Sequence, residues 1–328
     1  MACANLAVHE LNTAGGLLGR PVKLHPINAG KTAASAVDAT RFAIEIDEVA
    51  AIVGMVPSYA REPLDIAIGG RVPFVYTPQF EGLGAAEERV VTTGETSREL
   101  LLPAVDWLGR NKAAKRYFLC GSDYVWPRST FATARHLIRE AGGIVTGEMY
   151  LPLETEDFEP ILDAIVATQA QVVLPYFLGS DQISFNRAFA EADLARKVLR
   201  FTSAIDETIL YGLSEGSMEN LYVSSAYFSN VRSHHNGAFL ERYHTVYGDI
   251  PPPANAFGQS CYEGIHCLSS LAEAAGTLRV RDVRKALGRS LQKRTARGLD
   301  DHSRVTGSAQ PIHFARVDGY EFTVLQTT

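Results

Sequence analysis

The stretch CGSDYVWPRST, residues 120–130, sets a Tyr and a Trp two positions apart directly after the apolar run RYFL. Aromatic rings with polar tips, held where a strand ends, form an apolar wall with a few hydrogen-bonding points. That is the chemistry of gripping a small molecule. Tyr76, Phe80, Tyr176 and Phe177 follow apolar runs in the same way, as do Tyr227 and Phe228. Any one of them packs as readily in a core; the set favours a cleft. Ser58 follows Pro57 and precedes a helical pattern. Its hydroxyl can cap that helix, or it can join the free N–H groups of the first turn in holding a ligand carbonyl or carboxylate. Both readings stand on pattern alone. The triplet Gly-Ser-Asp recurs at 121–123 and 179–181, which is turn chemistry first.

Catalytic constellations are poor. Glu81, Asp123 and Asp206 would make an acid–base set only if three separate loops converged. The nine histidines are scattered, and the His pair in SHHNG reads as an exposed helix cap. HExxH, Walker and GxGxxG patterns are missing from the sequence. Cys3, Cys120, Cys261 and Cys267 form no CxxC and read as buried thiols. A non-enzyme with no cofactor and no metal is expected, with a small-molecule hydrolase as the lesser alternative.

The elements that would carry these residues alternate. RPVKLHPIN, VAAIVGMV, VPFVYT, ERVVTTG, RYFLCG, GIVTGEMYLP, QVVLPYF, LRFTSAI and NLYVSSAYF read as strands, with helical patterns between most of them. VAAIVGMV is continuously apolar, as expected of a strand buried on both faces. The tail PIHFARVDGYEFTVLQ alternates like a hairpin. Strands alternating with helices mean parallel sheets covered on both faces, with ligands beyond the carboxyl ends of the strands. The strands are too many for one compact sheet, so two doubly wound α/β lobes are expected. Such a lobe normally opens with a strand that lies centrally in its sheet. Here a helix, ACANLAVHELN, comes first, so the first strand of lobe one is expected to be missing.

Length and charge agree with this class. The chain has 328 residues, about twice a typical domain, with a net charge of −6. A nucleic-acid surface needs clustered Lys and Arg, and the one basic run, 279–297, has the spacing of a solvated helix face. No apolar run reaches the ~18–20 residues of a membrane span. MACANLAVHELN lacks the basic and apolar regions of a secretory leader.

The segments LAVHELNTAGGLLGRPV, YTPQFEG, GSDYVWPR, YFSN and HSR resemble the type I periplasmic-binding-protein family. Within it, YTPQFEG and GSDYVWPR resemble the amide- and urea-binding branch. That branch holds urea and short-chain-amide receptors of ABC importers and negative regulators of amidase operons. The resemblance runs from about residue 5 to residue 325. It implies two lobes joined by a three-stranded hinge, with residues 1–95 plus 228–296 in lobe one and 96–227 plus 297–328 in lobe two. It implies a non-catalytic receptor that closes over a small amide or urea-like ligand. Ser58, Tyr76, Tyr124 and Trp126 would lie at that ligand, with Gln79, Tyr176 and Thr202 approaching it. The implied partner is an ABC permease or, in a cytoplasmic sensor, an RNA-binding antiterminator held inactive. No direct nucleic-acid contact is implied, and a homodimer is compatible. The compartment would be the periplasm if a leader precedes this chain, and otherwise the cytoplasm. Two departures stand out: Val56 replaces a tyrosine of the amidase regulators, and Gln79 follows the urea-receptor pattern.

Overall fold

The computed structural model describes residues 1–81, 90–287, 297 and 310–328. HSR, Gly82 and most of the basic run beyond residue 287 lie outside the described residues. The chain folds into two compact units, Met1–Glu95 with Arg232–Gln310, and Thr96–Val231 with Pro311–Thr328.

The first 95 residues run α1 Ala2–Thr13, α2 Ala33–Glu45, β1 Ile52–Gly54, α3 Ser58–Ile68, β2 Phe74–Tyr76 and β3 Val90–Thr92. Then come α4 Ser97–Lys112, β4 Arg116–Ser122, α5 Val125–Glu140, β5 Ile144–Leu151, α6 Glu159–Ala167, β6 Val172–Tyr176, α7 Ser180–Glu191, β7 Leu199–Thr202, α8 Glu207–Tyr211 and β8 Leu221–Ser225. Three further helices, α9 His234–Tyr247, α10 Ala256–Ala275 and α11 Val280–Lys285, return to unit one. The hairpin β9 His313–Asp318 and β10 Glu321–Thr327 completes unit two. The local chemistry sets several boundaries. Thr32–Ser35 and Thr96–Glu99 form capping boxes that start α2 and α4. Gly276, in the left-handed conformation, ends α10.

Unit one has a parallel sheet, β1-β2-β3. Alternation along β2 sends Phe74 and Tyr76 to the face packed by α2 and α3, and Val75 to the α10 and α11 face. Unit two has a seven-stranded sheet in the order β10-β9-β8-β7-β6-β4-β5, parallel except for the terminal hairpin. Tyr117, Leu119, Val172 and Leu174 face α4 and α5, while Phe118, Cys120 and Val173 face α6 and α7. Gly121 is required where β4 passes β6, because a Cβ there would stand 2.6 Å from the Tyr176 carbonyl oxygen. The expected α/β fold with parallel sheets is therefore observed. No described helix is long and apolar enough to cross a membrane.

One expected strand is not formed. RPVKLHPIN carries no strand, and Pro21, Lys23 and His25 to Asn28 are exposed. Val22 is held by a side chain instead: its N–H donates to Asn12 Oδ1 at 2.7 Å, and Asn12 Nδ2 donates to its carbonyl at 2.8 Å. VAAIVGMV also differs from expectation. Only Ile52–Gly54 is a strand, Ile52 and Val53 are half-buried, and β1 is the outer strand of its sheet among the described residues. An apolar run signals burial but cannot name the strand that provides it. An open apolar edge of this kind accepts another strand. A chain with about six apolar strand residues and a turn fused ahead of Ala2 is expected to melt higher than the present one. Equal melting temperatures would show that the β1 edge does not limit stability.

Candidate functional site

In unit one the chain leaves β1 and turns into α3 at Pro57, which occupies the capping position without a side-chain hydrogen bond. Ser58 therefore lies in the first helical turn and caps nothing. It is 8% exposed, and its Oγ is buried with no hydrogen-bond partner among the described residues. A buried hydroxyl left in this state costs ~1–3 kcal/mol. It stands beside first-turn N–H groups that an α-helix cannot satisfy internally. Tyr76 ends β2, is fully buried, and donates its hydroxyl proton to the Val56 carbonyl at 3.0 Å. Gln79 follows β2 and is half-buried. Its loop is pinned at Thr77, whose N–H and Oγ1 both donate to the Gly54 carbonyl, at 3.0 and 3.1 Å. Unit one thus sets Ser58, Tyr76 and Gln79 at or just beyond the carboxyl ends of two adjacent strands, β1 and β2.

In unit two the aromatics of GSDYVWPR do not sit in a loop. Tyr124 is the residue preceding α5, and Trp126 and Pro127 belong to its first turn. A proline is tolerated there because its missing N–H has no helical partner to lose. Trp126, 6% exposed, packs its ring 5.1 Å from that of Tyr176 and 6.2 Å from that of Tyr124. Phe131 meets Tyr176 edge-on at 5.5 Å. Burial pushes the Tyr176 phenol up, and its hydroxyl has no hydrogen-bond partner among the described residues. Thr202, at the end of β7, is fully buried, and its Oγ1 accepts the Ala204 N–H at 3.1 Å. Tyr124, Trp126, Tyr176 and Thr202 are therefore gathered at the carboxyl edge of three adjacent strands, β4, β6 and β7. Pro175 contributes to this edge. It cannot donate to a ladder, and β6 pairs with β7 only at Val172 and Val173.

The wider set of aromatics divides. Phe177 points to the opposite face from Tyr176, stacked 4.9 Å from Phe185. Phe80 belongs to the unit-one core, and Phe228 stacks on Phe322 at 4.3 Å. Those three are core residues. The Gly-Ser-Asp repeats tie loops together: Ser122 Oγ accepts the Leu178 N–H, and Asp181 accepts the Glu154 N–H. Glu81, Asp123 and Asp206 are engaged separately, by Arg61, by Arg128 and as the cap of α8. His234 and His235 are exposed in the first turn of α9, which Ser233 caps. Among the described residues no group of His, Cys, Asp or Glu could hold a metal ion.

Sequence reasoning missed two residues. Glu207 is 3% exposed; one carboxylate oxygen accepts the Ser229 N–H at 2.7 Å, and Oε2 has no hydrogen-bond partner among the described residues. Its neighbour Asp206 caps α8 through Oδ1, while Oδ2 is likewise without a partner. Burial pushes both carboxyls up. The sequence signal was an acidic pair directly after LRFTSAI, which reads as an ordinary helix start. The other is Arg61, taken up below.

The periplasmic binding protein profile matches residues 1–321. The chain belongs to the periplasmic binding protein family. This periplasmic binding protein is similar to the Leu/Ile/Val-binding protein homolog 6 of Brucella suis biovar 1, at 26% identity over 231 residues. That match takes in 68% of this chain and 54% of the relative, so the chain spans about half the length of the curated relatives it matches. A leucine binding protein of Thermotoga maritima shares the fold with a TM-score of 0.85 at 16% identity, over 99% of this chain and 93% of that one. A solute binding protein of an ABC transporter from Rhodopseudomonas palustris, in complex with p-hydroxybenzoic acid, gives 0.84 at 18% identity, over 100% and 91%. At such identities the likeness to solved structures is one of fold.

Proposed function

We propose that this periplasmic binding protein is a non-catalytic solute receptor, the substrate-binding component of an ABC importer, and that its ligand is a small amide or urea-like solute. The observation that carries the reading is Ser58 Oγ, a buried hydroxyl at the start of α3 with no hydrogen-bond partner among the described residues. It can donate to a ligand carbonyl or accept from a ligand amide. Gln79 lies on the loop after the neighbouring strand β2 of the same unit. The partner is then an ABC permease and the compartment the periplasm.

Ser58→Ala is expected to weaken acetamide, butyramide or urea binding about tenfold, on the order of 1–2 kcal/mol. The fold should be retained, since the hydroxyl supports no cap. Titration calorimetry on both proteins decides. Equal affinities would remove Ser58 from the ligand.

A second reading rests on Asp206 Oδ2 and Glu207 Oε2. Two buried carboxylate oxygens without hydrogen-bond partners among the described residues suit an ammonium group, which would make the ligand an α-amino acid. The name of the Brucella relative points the same way. Under this reading leucine binds better than any amide, and Glu207→Gln removes leucine binding.

A further inference from the structure

The side chain one turn beyond Ser58 is Arg61, on the same buried face of α3. It is 7% exposed, and its Nη2 lies 3.1 Å from Glu81 Oε2, whose side chain is fully buried. The guanidinium also lies over two rings, 5.4 Å from the centre of Tyr76 and 5.6 Å from that of Phe80. A guanidinium buried here would by itself make the start of α3 strongly positive, because the helix terminus already carries partial positive charge. Water would screen that charge poorly. An anion would then be the preferred ligand at Ser58. Glu81 cancels the charge from within the protein.

We infer that the buried Arg61–Glu81 pair sets the charge of the Ser58 half-site and so selects neutral carbonyl solutes over carboxylates. The inference rests on the reading of Ser58 as a ligand contact. Arg61 and Glu81 act at a distance from the ligand, through the field, and are specificity-determining rather than contacting residues. The two rings hold the guanidinium from both the strand and the loop after it. Removing the Glu81 charge therefore leaves the cation in place. Glu81→Gln keeps the size and shape of the side chain while exposing the positive field.

The experiment uses the full chain and the isosteric probes acetamide and acetate. Wild type is expected to bind acetamide in preference to acetate. Glu81→Gln is expected to move that ratio about tenfold toward acetate. The double variant Arg61→Met with Glu81→Gln, which carries no charge at either position, is expected to return the ratio to that of wild type. Replacing a buried ion pair by neutral groups of similar volume is commonly tolerated, so the double variant serves even if Glu81→Gln alone does not fold. A shift toward acetate in the double variant would then overturn the inference. A separate readout is the melting temperature: acetate should raise that of Glu81→Gln and leave wild type unchanged. If wild type binds neither probe, the amide reading of Ser58 falls, and the melting comparison still decides the charge inference. A folded Glu81→Gln chain with an unchanged ratio and no stabilisation by acetate overturns it.

Discussion

Glu10→Gln is expected to lose about 3 kcal/mol of stability at neutral pH and to lose most of the acid sensitivity of unit one. Glu10 lies on α1 and is 6% exposed. One oxygen accepts from Arg242 Nε at 2.6 Å; the other accepts from the Tyr262 hydroxyl at 2.8 Å and faces His266 Nε2 at 3.0 Å. Burial alone would push the carboxyl up. Hydrogen bonds from His266, Tyr262 and Arg242 overcome it and hold the group at about 2. A carboxyl held below its unfolded value contributes stability above that value and loses it as pH falls through the folded one. The window therefore runs from about 4.3 downward to about 2. Urea midpoints for wild type should fall steeply across that window, and those of Glu10→Gln should be low at pH 7 and nearly flat through it. Parallel acid profiles would mean that the Glu10 network does not hold α1 to α9 and α10.

The second large effect belongs to Trp126. Trp126→Ala removes a buried indole from the core face shared by Leu101, Phe131 and Tyr176, and is expected to cost about 3–5 kcal/mol. Trp126→Phe fills part of the void and should cost less. If the indole is also a wall of the ligand site, its truncation changes selectivity as well as stability. The smallest amide should lose affinity, while longer amides gain relative to it. Calorimetry of acetamide, propionamide, butyramide and valeramide against wild type and both variants separates the two roles. An unchanged order of the four amides, in a variant that still folds, would leave Trp126 as core alone.

Much of the fold was legible because its signals are local. Alternation sorts Tyr117 and Leu119 from Phe118 and Cys120, and the tail forms the expected antiparallel hairpin, with a register shift between Val324 and Gln326. The aromatic edge was legible as a group of residues but not as geometry. Trp126 follows a strand closely enough to read as part of a connection, whereas it already belongs to the first turn of α5, where Pro127 is tolerated. Phe177 looked like a partner of Tyr176, yet neighbouring positions on a strand face opposite sides. Ser58 could not be decided between cap and ligand contact. The structure removes the cap, since Pro57 takes that position. What stayed hidden depends on distant partners. Arg61 meets Glu81 across 20 positions, Glu207 takes the Ser229 N–H across 22, and Glu10 meets Arg242 across 232. No local pattern encodes such pairs. RPVKLHPIN shows the converse: its strand propensity is intact, but it has no ladder partner among the described residues.

The central claim is that this periplasmic binding protein holds a small neutral amide and returns it unchanged. Wild-type protein titrated in a calorimeter with acetamide, butyramide, urea, leucine and benzoate tests it, with mass spectrometry of the solute recovered after prolonged incubation. The account predicts saturable binding of a short amide or urea, weaker or no binding of leucine and benzoate, and recovery of the bound solute at its original mass. Tightest binding of leucine or benzoate, or recovery of a hydrolysed amide, would contradict it.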